Sequence, residues 1–154
     1  PRVKISGLYV NSILAKTEAV MGGYDEAILL NQNGEVSEGS GENLFLVNDG
    51  VIHTPLVSDN NLMGITRDCV IELAHSEMNL TVVERTIRRS ELYLADEIFL
   101  TGTAAHVTPV GQLDNRLIGS GEVGSITNNL RELYLDCIRG NNSKYSRWCT
   151  GVTV

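Results

Sequence analysis

The chain has little that could serve as a reactive amine. Among its 154 residues are three lysines, Lys4, Lys16 and Lys144, so any chemistry that needs a primary amine has three places to look. Cysteine is equally sparse and odd in number, at Cys69, Cys137 and Cys149, with no Cys-x-x-Cys spacing. That pattern gives no disulfide framework and fits free thiols in a reducing, cytoplasmic setting. Positive charge is in deficit, with a net charge of -7. Nucleic acid and anionic membrane both want a basic face, so neither is an expected partner. No apolar run approaches the ~20 residues of a membrane span. His53, His75 and His106 lack ligand spacing such as His-Glu-x-x-His, so no metal is expected. Nucleophile-elbow, P-loop and dinucleotide glycine motifs are also missing. The opening Pro1-Arg2-Val3-Lys4 has neither an initiator Met nor the apolar core of a signal peptide, and reads as a chain entered in mid-sequence.

What is present is ordinary soluble composition, 42% apolar and 20% charged. A chain of this length suits one domain, residues 1–154, able to bury about 70% of its unfolded surface. Strand and helix patterns alternate along it. Asn11 to Met21 suits a helix ending at Gly22-Gly23. Ala27 to Leu30 reads as a short buried strand, and Asn33-Gly34 as a tight turn. Asn43 to Val47, Asp49-Gly50 and Val51 to Thr54 predict a hairpin. Val70, Ile71, Ala74 and Met78 mark one face of a helix over 66–78. Thr81 to Ile87 is β-branched and strand-like. Ser90 to Ala95 predicts a short helix with Ser90 as its N-cap. Glu97 to Leu100 predicts a strand, with Asp96-Glu97 as solvated charge before it. Val107 to Leu117 predicts a hairpin turning at Asp114-Asn115. Ile126, Leu130, Leu133, Cys137 and Ile138 share a face of the last helix, which stops near Gly140.

Three stretches carry chemistry. Lys4-Ile5-Ser6-Gly7-Leu8-Tyr9 offers an amine and a phenol. Ser37-Glu38-Gly39 offers a carboxylate. Gly64-Ile65-Thr66-Arg67 opens a helix, where free N–H groups and the dipole favour an anion. Amine, carboxylate and anion-binding turn are the three things pyridoxal phosphate needs: an imine partner for its aldehyde, an anion beside its ring nitrogen, and donors around its phosphate. Each has a plainer alternative. Lys4 can be a solvated surface lysine, as Lys16 beside Glu18 and Lys144 in the polar tail look to be. Glu38 can be a loop carboxylate, with Glu42 as the competing acid. Gly64-Ile65-Thr66 can be simple helix capping. Thr101-Gly102-Thr103-Ala104-Ala105, after a strand, can offer N–H groups to phosphate or carboxylate, or be a packing turn.

The run from Glu38 through Asn43-Leu44-Phe45 and Ile52-His53-Thr54 to Leu62-Met63-Gly64-Ile65-Thr66-Arg67 resembles the class IV pyridoxal-phosphate aminotransferase signature in every element. Lys4 to Ser12 and Tyr93 to Ala105 resemble the branched-chain amino-acid aminotransferases in particular, and the likeness reaches Trp148. The resemblance implies an α/β (α+β) fold, a barrel-like mixed sheet with surrounding helices, as in the large C-terminal domain of the fold type IV enzymes. It implies pyridoxal 5'-phosphate as cofactor. Lys4 would be the imine lysine and proton carrier, Glu38 the partner of the ring nitrogen, and Tyr9 the donor to the ring's phenolate oxygen. Leu62 would pack on the ring face. Ile65, Thr66 and Thr103 would hold the phosphate, and the N–H groups of Thr103 and Ala104 the substrate carboxylate. The reaction implied is transamination of Leu, Ile and Val with 2-oxoglutarate. D-amino-acid aminotransferase, aminodeoxychorismate lyase and a catalytically incompetent fragment are the alternatives on this scaffold. An N-terminal small domain that family members carry has no counterpart here. It and further copies of the chain, as a dimer or higher homo-oligomer, are the implied protein partners. His106 stands where relatives often have an acid.

Overall fold

The computed structural model describes residues 3–152. Strands β1 (Ile28–Leu30) and β2 (Val36–Gly39) form a small antiparallel pair. Then β3 (Asn43–Asn48) and β4 (Val51–Thr54) form a hairpin in which Asn48 faces Val51. Asp49 and Gly50 take positive φ of 49° and 75°, the two left-handed positions of a primed turn, so the Asp-Gly signal acts as read. Helix α2 (Ile65–Met78) leads to β5 (Val82–Glu84), which lies parallel to β4; α1 is Val10–Met21. After a short helix α3 (Arg89–Leu92), β6 (Glu97–Gly102) pairs antiparallel along β3, from Asn43↔Thr101 to Val47↔Glu97. Strand β7 (His106–Val110) adds beyond it. The five-stranded mixed sheet thus runs β5-β4-β3-β6-β7. A two-residue hairpin, β8 (Gln112–Leu113) and β9 (Arg116–Leu117), precedes helix α4 (Ser125–Ile138).

The sheet is covered on both faces because its central strands carry unbroken apolar runs, Leu44 to Val47 and Ile98 to Leu100, not alternating ones. Phe45, Val47 and Phe99 face Val70, Leu73 and Ala74 of α2 and Leu130, Tyr134 and Cys137 of α4. Leu44, Leu46, Ile98 and Leu100 point the other way, into a second core with Val36, Ile87, Leu92 and Ile118. Period-two side-chain alternation sends neighbours along β3 and β6 into different cores. Phe45 and Phe99 stack with centroids 4.9 Å apart and planes 6° from parallel. Each such fully buried side chain contributes about 1.5–3 kcal/mol.

The mixed α/β architecture is as the sequence implied, with local differences. The 27–30 run is not buried: β1 lies at an edge and Leu30 is 41% exposed. Only 82–84 of the β-branched 81–87 run is strand, since β4 is too short to pair with more. Ser90 lies inside α3; the N-cap is Arg88, whose N–H donates to Glu91 Oε1 at 2.7 Å. The 107–117 run divides: its first part joins the large sheet, and only the second part turns at Asp114-Asn115. Ile138, placed on the buried face of α4 by its spacing, is 38% exposed. Asp96 is exposed as read, while Glu97 is not a free solvated charge. Asp96 Oδ2 accepts from the Asp49 N–H at 2.8 Å, and Glu97 holds the start of α4. Finally, α1 has no buried residue at all, and Ile13, Leu14 and Met21 are more than half exposed.

Candidate active site

One cleft of about 320 Å³ gathers side chains from four separate segments. The N-terminal segment brings Lys4 and Tyr9, β2 brings Glu38, the approach to α2 brings Leu62, Ile65 and Thr66, and the end of β6 leads to Thr103. Ala104 lies one residue further on, exposed in the turn and outside the lining. Lys4 Nζ sits 5.8 Å from the centroid of the Tyr9 ring. The other two lysines are elsewhere and engaged: Lys16 pairs with Glu26 at 2.7 Å and Lys144 with Glu77 at 2.6 Å. Among the described residues no cysteine lines the cleft, and burial pushes the Cys69 thiol up to about 11, far from a thiolate at neutral pH. A larger space of about 760 Å³ lies between α1, β1 and β7, but no unpartnered buried polar atom of the described residues faces it.

Glu38 is on a strand, not in a loop, and is half-buried there. Its Oε2 accepts from the Leu62 N–H at 2.8 Å, and Oε1 has no protein partner among the described residues. Burial pushes its carboxyl above the ordinary carboxylate range, opposed by the Leu62 N–H and the charge of Lys4. The competing acid, Glu42, accepts from the Gly41 N–H and is raised by burial too, with Glu26 adding like charge.

Asn43 belongs to the signature run, where it was given no role of its own. Its Nδ2 donates to the Leu62 carbonyl at 2.6 Å. Glu38 and Asn43 therefore grip the two backbone groups of Leu62, fixing the turn that carries Leu62, Ile65 and Thr66. A Cβ on Gly64 would fall on Asn43 Oδ1, so the turn needs glycine for this close approach. The signal available was a polar residue opening an apolar strand.

The start of α2 opens into the cleft. Gly64 provides no side-chain cap, and among the described residues no side chain accepts from the first N–H groups of α2. Thr66 is 4% exposed, with Oγ1 3.3 Å from Tyr134 Oη of α4. Thr101, 1% exposed and in the lining, leaves its hydroxyl without a partner among the described residues. A buried donor without an acceptor costs roughly 1–3 kcal/mol unless something completes it. The cleft can thus take a flat group with an amine-reactive carbon near Lys4, a basic atom near Glu38 and an anionic tail at α2.

The sequence profile of the family described as Amino-transferase class IV matches residues 1–113. The chain is 57% identical to a probable branched-chain-amino-acid aminotransferase of Aquifex aeolicus over 151 residues, 98% of this chain and 49% of the relative. It is 48% identical to the branched-chain-amino-acid aminotransferase of Pseudomonas aeruginosa, over 97% of this chain and 48% of that one. Among solved structures, it superimposes on the branched-chain amino acid aminotransferase of Thermobaculum terrenum in its PLP-form. There the TM-score is 0.97 at 44% identity, covering 100% of this chain and 50% of that one. A second crystal structure, a branched-chain amino acid aminotransferase complexed with N-(5'-phosphopyridoxyl)-L-glutamate, gives 0.95 at 50% identity, covering 99% and 51%. The chain spans about half the length of the relatives it matches.

Proposed function

The chain belongs to the class IV aminotransferases, and on that premise we propose that it is the cofactor-binding part of a branched-chain amino-acid aminotransferase. Pyridoxal 5'-phosphate, when bound, supplies the aldehyde and the electron-withdrawing ring that let an amine leave one carbon skeleton and join another. The lining suits that group. The unpartnered Thr101 hydroxyl and the uncapped start of α2 are donors that an anionic tail would satisfy. The cleft volume of about 320 Å³ falls within the ~300–1,000 Å³ of small-molecule sites.

In this reading Lys4 would hold the cofactor through its amine and would carry the proton at the substrate α-carbon. Glu38 would be the partner of the ring nitrogen and would favour its protonated form. A cationic nitrogen beside the carboxylate would oppose the upward push of burial on Glu38. Tyr9 donates to the ring's phenolate oxygen, and Leu62 covers a ring face. Ile65 and Thr66 hold the phosphate through N–H groups and the Thr66 hydroxyl, with Thr103 adding another. The N–H groups of Thr103 and Ala104 meet the substrate carboxylate. The amine donors are Leu, Ile and Val, the branched-chain amino acids of the relatives' names, and 2-oxoglutarate is the acceptor.

The half-length match and the bare apolar groups at the cleft rim, Met63 and Ile65, and on α1 support two further elements of the proposal. A small N-terminal domain completes the cleft and excludes water, and the assembled enzyme is at least a dimer, in the cytoplasm. No described helix is long and apolar enough to cross a membrane.

One observation carries the reading: Lys4, the one lysine of three in the cleft, shares that cleft with Glu38 and the open start of α2. The test is borohydride reduction of the intact protein with pyridoxal phosphate, followed by peptide mapping and an amine-transfer assay. The label is expected on Lys4, with transfer to 2-oxoglutarate from L-leucine and not from D-alanine. Label on Lys16 or Lys144, or transfer from D-alanine alone, defeats the proposal.

A further inference from the structure

We infer that Tyr134 is a positioning residue for the anionic end of the cleft: its hydroxyl aims the Thr66 hydroxyl at the phosphate. This rests on the pyridoxal-phosphate reading. Tyr134 lies on α4, 68 positions from Thr66, and belongs to none of the motifs. Its Oη is 3.3 Å from Thr66 Oγ1, both residues are buried, and Thr66 is the one hydrogen-bonding partner of that hydroxyl among the described residues.

The direction of this bond decides what Thr66 can do. A threonine hydroxyl has one proton and two lone pairs. If Thr66 donates to Tyr134, it has no proton for an anion. If Tyr134 donates, the Thr66 proton is free to turn into the cleft. A phosphate at the start of α2 is the strongest acceptor within reach, and it draws that proton. Tyr134 to Thr66 to phosphate then forms a chain in which each bond polarises the next. A second observation marks this end of the cleft for an anion: the Thr101 hydroxyl, buried and in the lining, has no acceptor or donor among the described residues. The His106 ring lies tilted across Tyr134 at 6.1 Å between centroids and makes no hydrogen bond to its hydroxyl.

The test is cofactor titration of the intact apo-protein, wild type against Tyr134→Phe, a change that removes one oxygen and keeps the packing. Affinity for pyridoxal phosphate is expected to fall roughly fivefold, the worth of one neutral hydrogen bond. Affinity for pyridoxal, which has no phosphate, stays unchanged. On a Thr66→Val background, Tyr134→Phe has no further effect. Phosphorus NMR of the bound cofactor gives a second readout: the resonance shifts in Tyr134→Phe while the ring's absorbance band stays in place. Equal losses for both cofactor forms, an unchanged affinity for pyridoxal phosphate, or a loss that persists on the Thr66→Val background overturns the inference. A wild-type protein that takes up no pyridoxal phosphate overturns the parent reading and this one with it.

Discussion

The two fourteen-residue helices of this protein start alike and finish their starts differently. Both α2 and α4 begin after a glycine with no side-chain cap, Gly64 and Gly124. Both glycines leave room for a side chain from a sheet strand: a Cβ on Gly64 would strike Asn43 of β3, and one on Gly124 would strike Glu97 of β6. At α4 the visitor is a carboxylate. Glu97 accepts from the N–H groups of Ile126 and Thr127 at 3.1 and 2.8 Å and from the Thr127 hydroxyl at 2.6 Å. That end is closed from within. At α2 the visitor is a neutral amide, which holds the Leu62 carbonyl and leaves the helix start to the cleft. A helix N-terminus attracts anions wherever it stands. Whether it becomes a structural joint or a binding site depends on whether the fold delivers its own anion.

Removing the anion at the closed end gives the largest expected effect on stability. Glu97→Ala strips three donors of their charged acceptor and should lower unfolding free energy by about 2–3 kcal/mol, read by urea denaturation with an unchanged slope. A loss near the ~0.5 kcal/mol of ordinary surface substitutions would mean that the two ends are not energetically distinct. Supplying an anion at the open end comes next. Ile65 is 82% exposed at the first position of α2. Ile65→Asp should steady the cofactor-free helix by a few tenths of a kcal/mol and weaken pyridoxal-phosphate binding by about tenfold or more through competition and repulsion. Unimpaired binding in a titration would show that the phosphate does not sit there.

The smallest effect on stability is one at Glu38 that fades as pH falls. Burial raises its carboxyl in the folded, cofactor-free protein, so ionising it costs stability as pH rises through the unfolded value toward the folded one. Glu38→Gln should therefore melt higher than wild type at pH 7. The advantage should shrink as pH falls through the raised folded value and vanish below the unfolded one. The same variant should lose transamination on the order of a hundredfold in the intact enzyme, because a neutral amide cannot hold the ring nitrogen protonated. A lower melting point at pH 7 would show that Glu38 supports the fold more than the chemistry.

Local signals were legible where a residue acts through its own backbone. Asp49-Gly50 turns the hairpin because both positions tolerate positive φ, and Gly23, at φ 85° just after the end of α1, stops that helix for the same conformational reason. The motif residues of the cleft, from Lys4 to Thr103, could be named because they cluster in short strings. The roles of the groups behind them could not, even for Asn43 and Thr101, which stand in the same strings. Asn43 looks like any residue opening a strand, Thr101 like the end of one, and Tyr134 like one more apolar position in a helix. Glu97 read as solvent-exposed charge because its partners lie 29 and 30 residues away. Such a pairing has no period and no local composition by which to find it.

By itself, the sequence determined the element types, the double-faced apolar strands and the short inventory of groups able to do amine chemistry, since these follow from side-chain spacing and from having three lysines. The tertiary structure alone decided which helix start would be sealed and which left open. That choice turns on a carboxylate from one strand and an amide from its neighbour arriving at glycines far away in the chain, and only folding brings them within hydrogen-bonding distance.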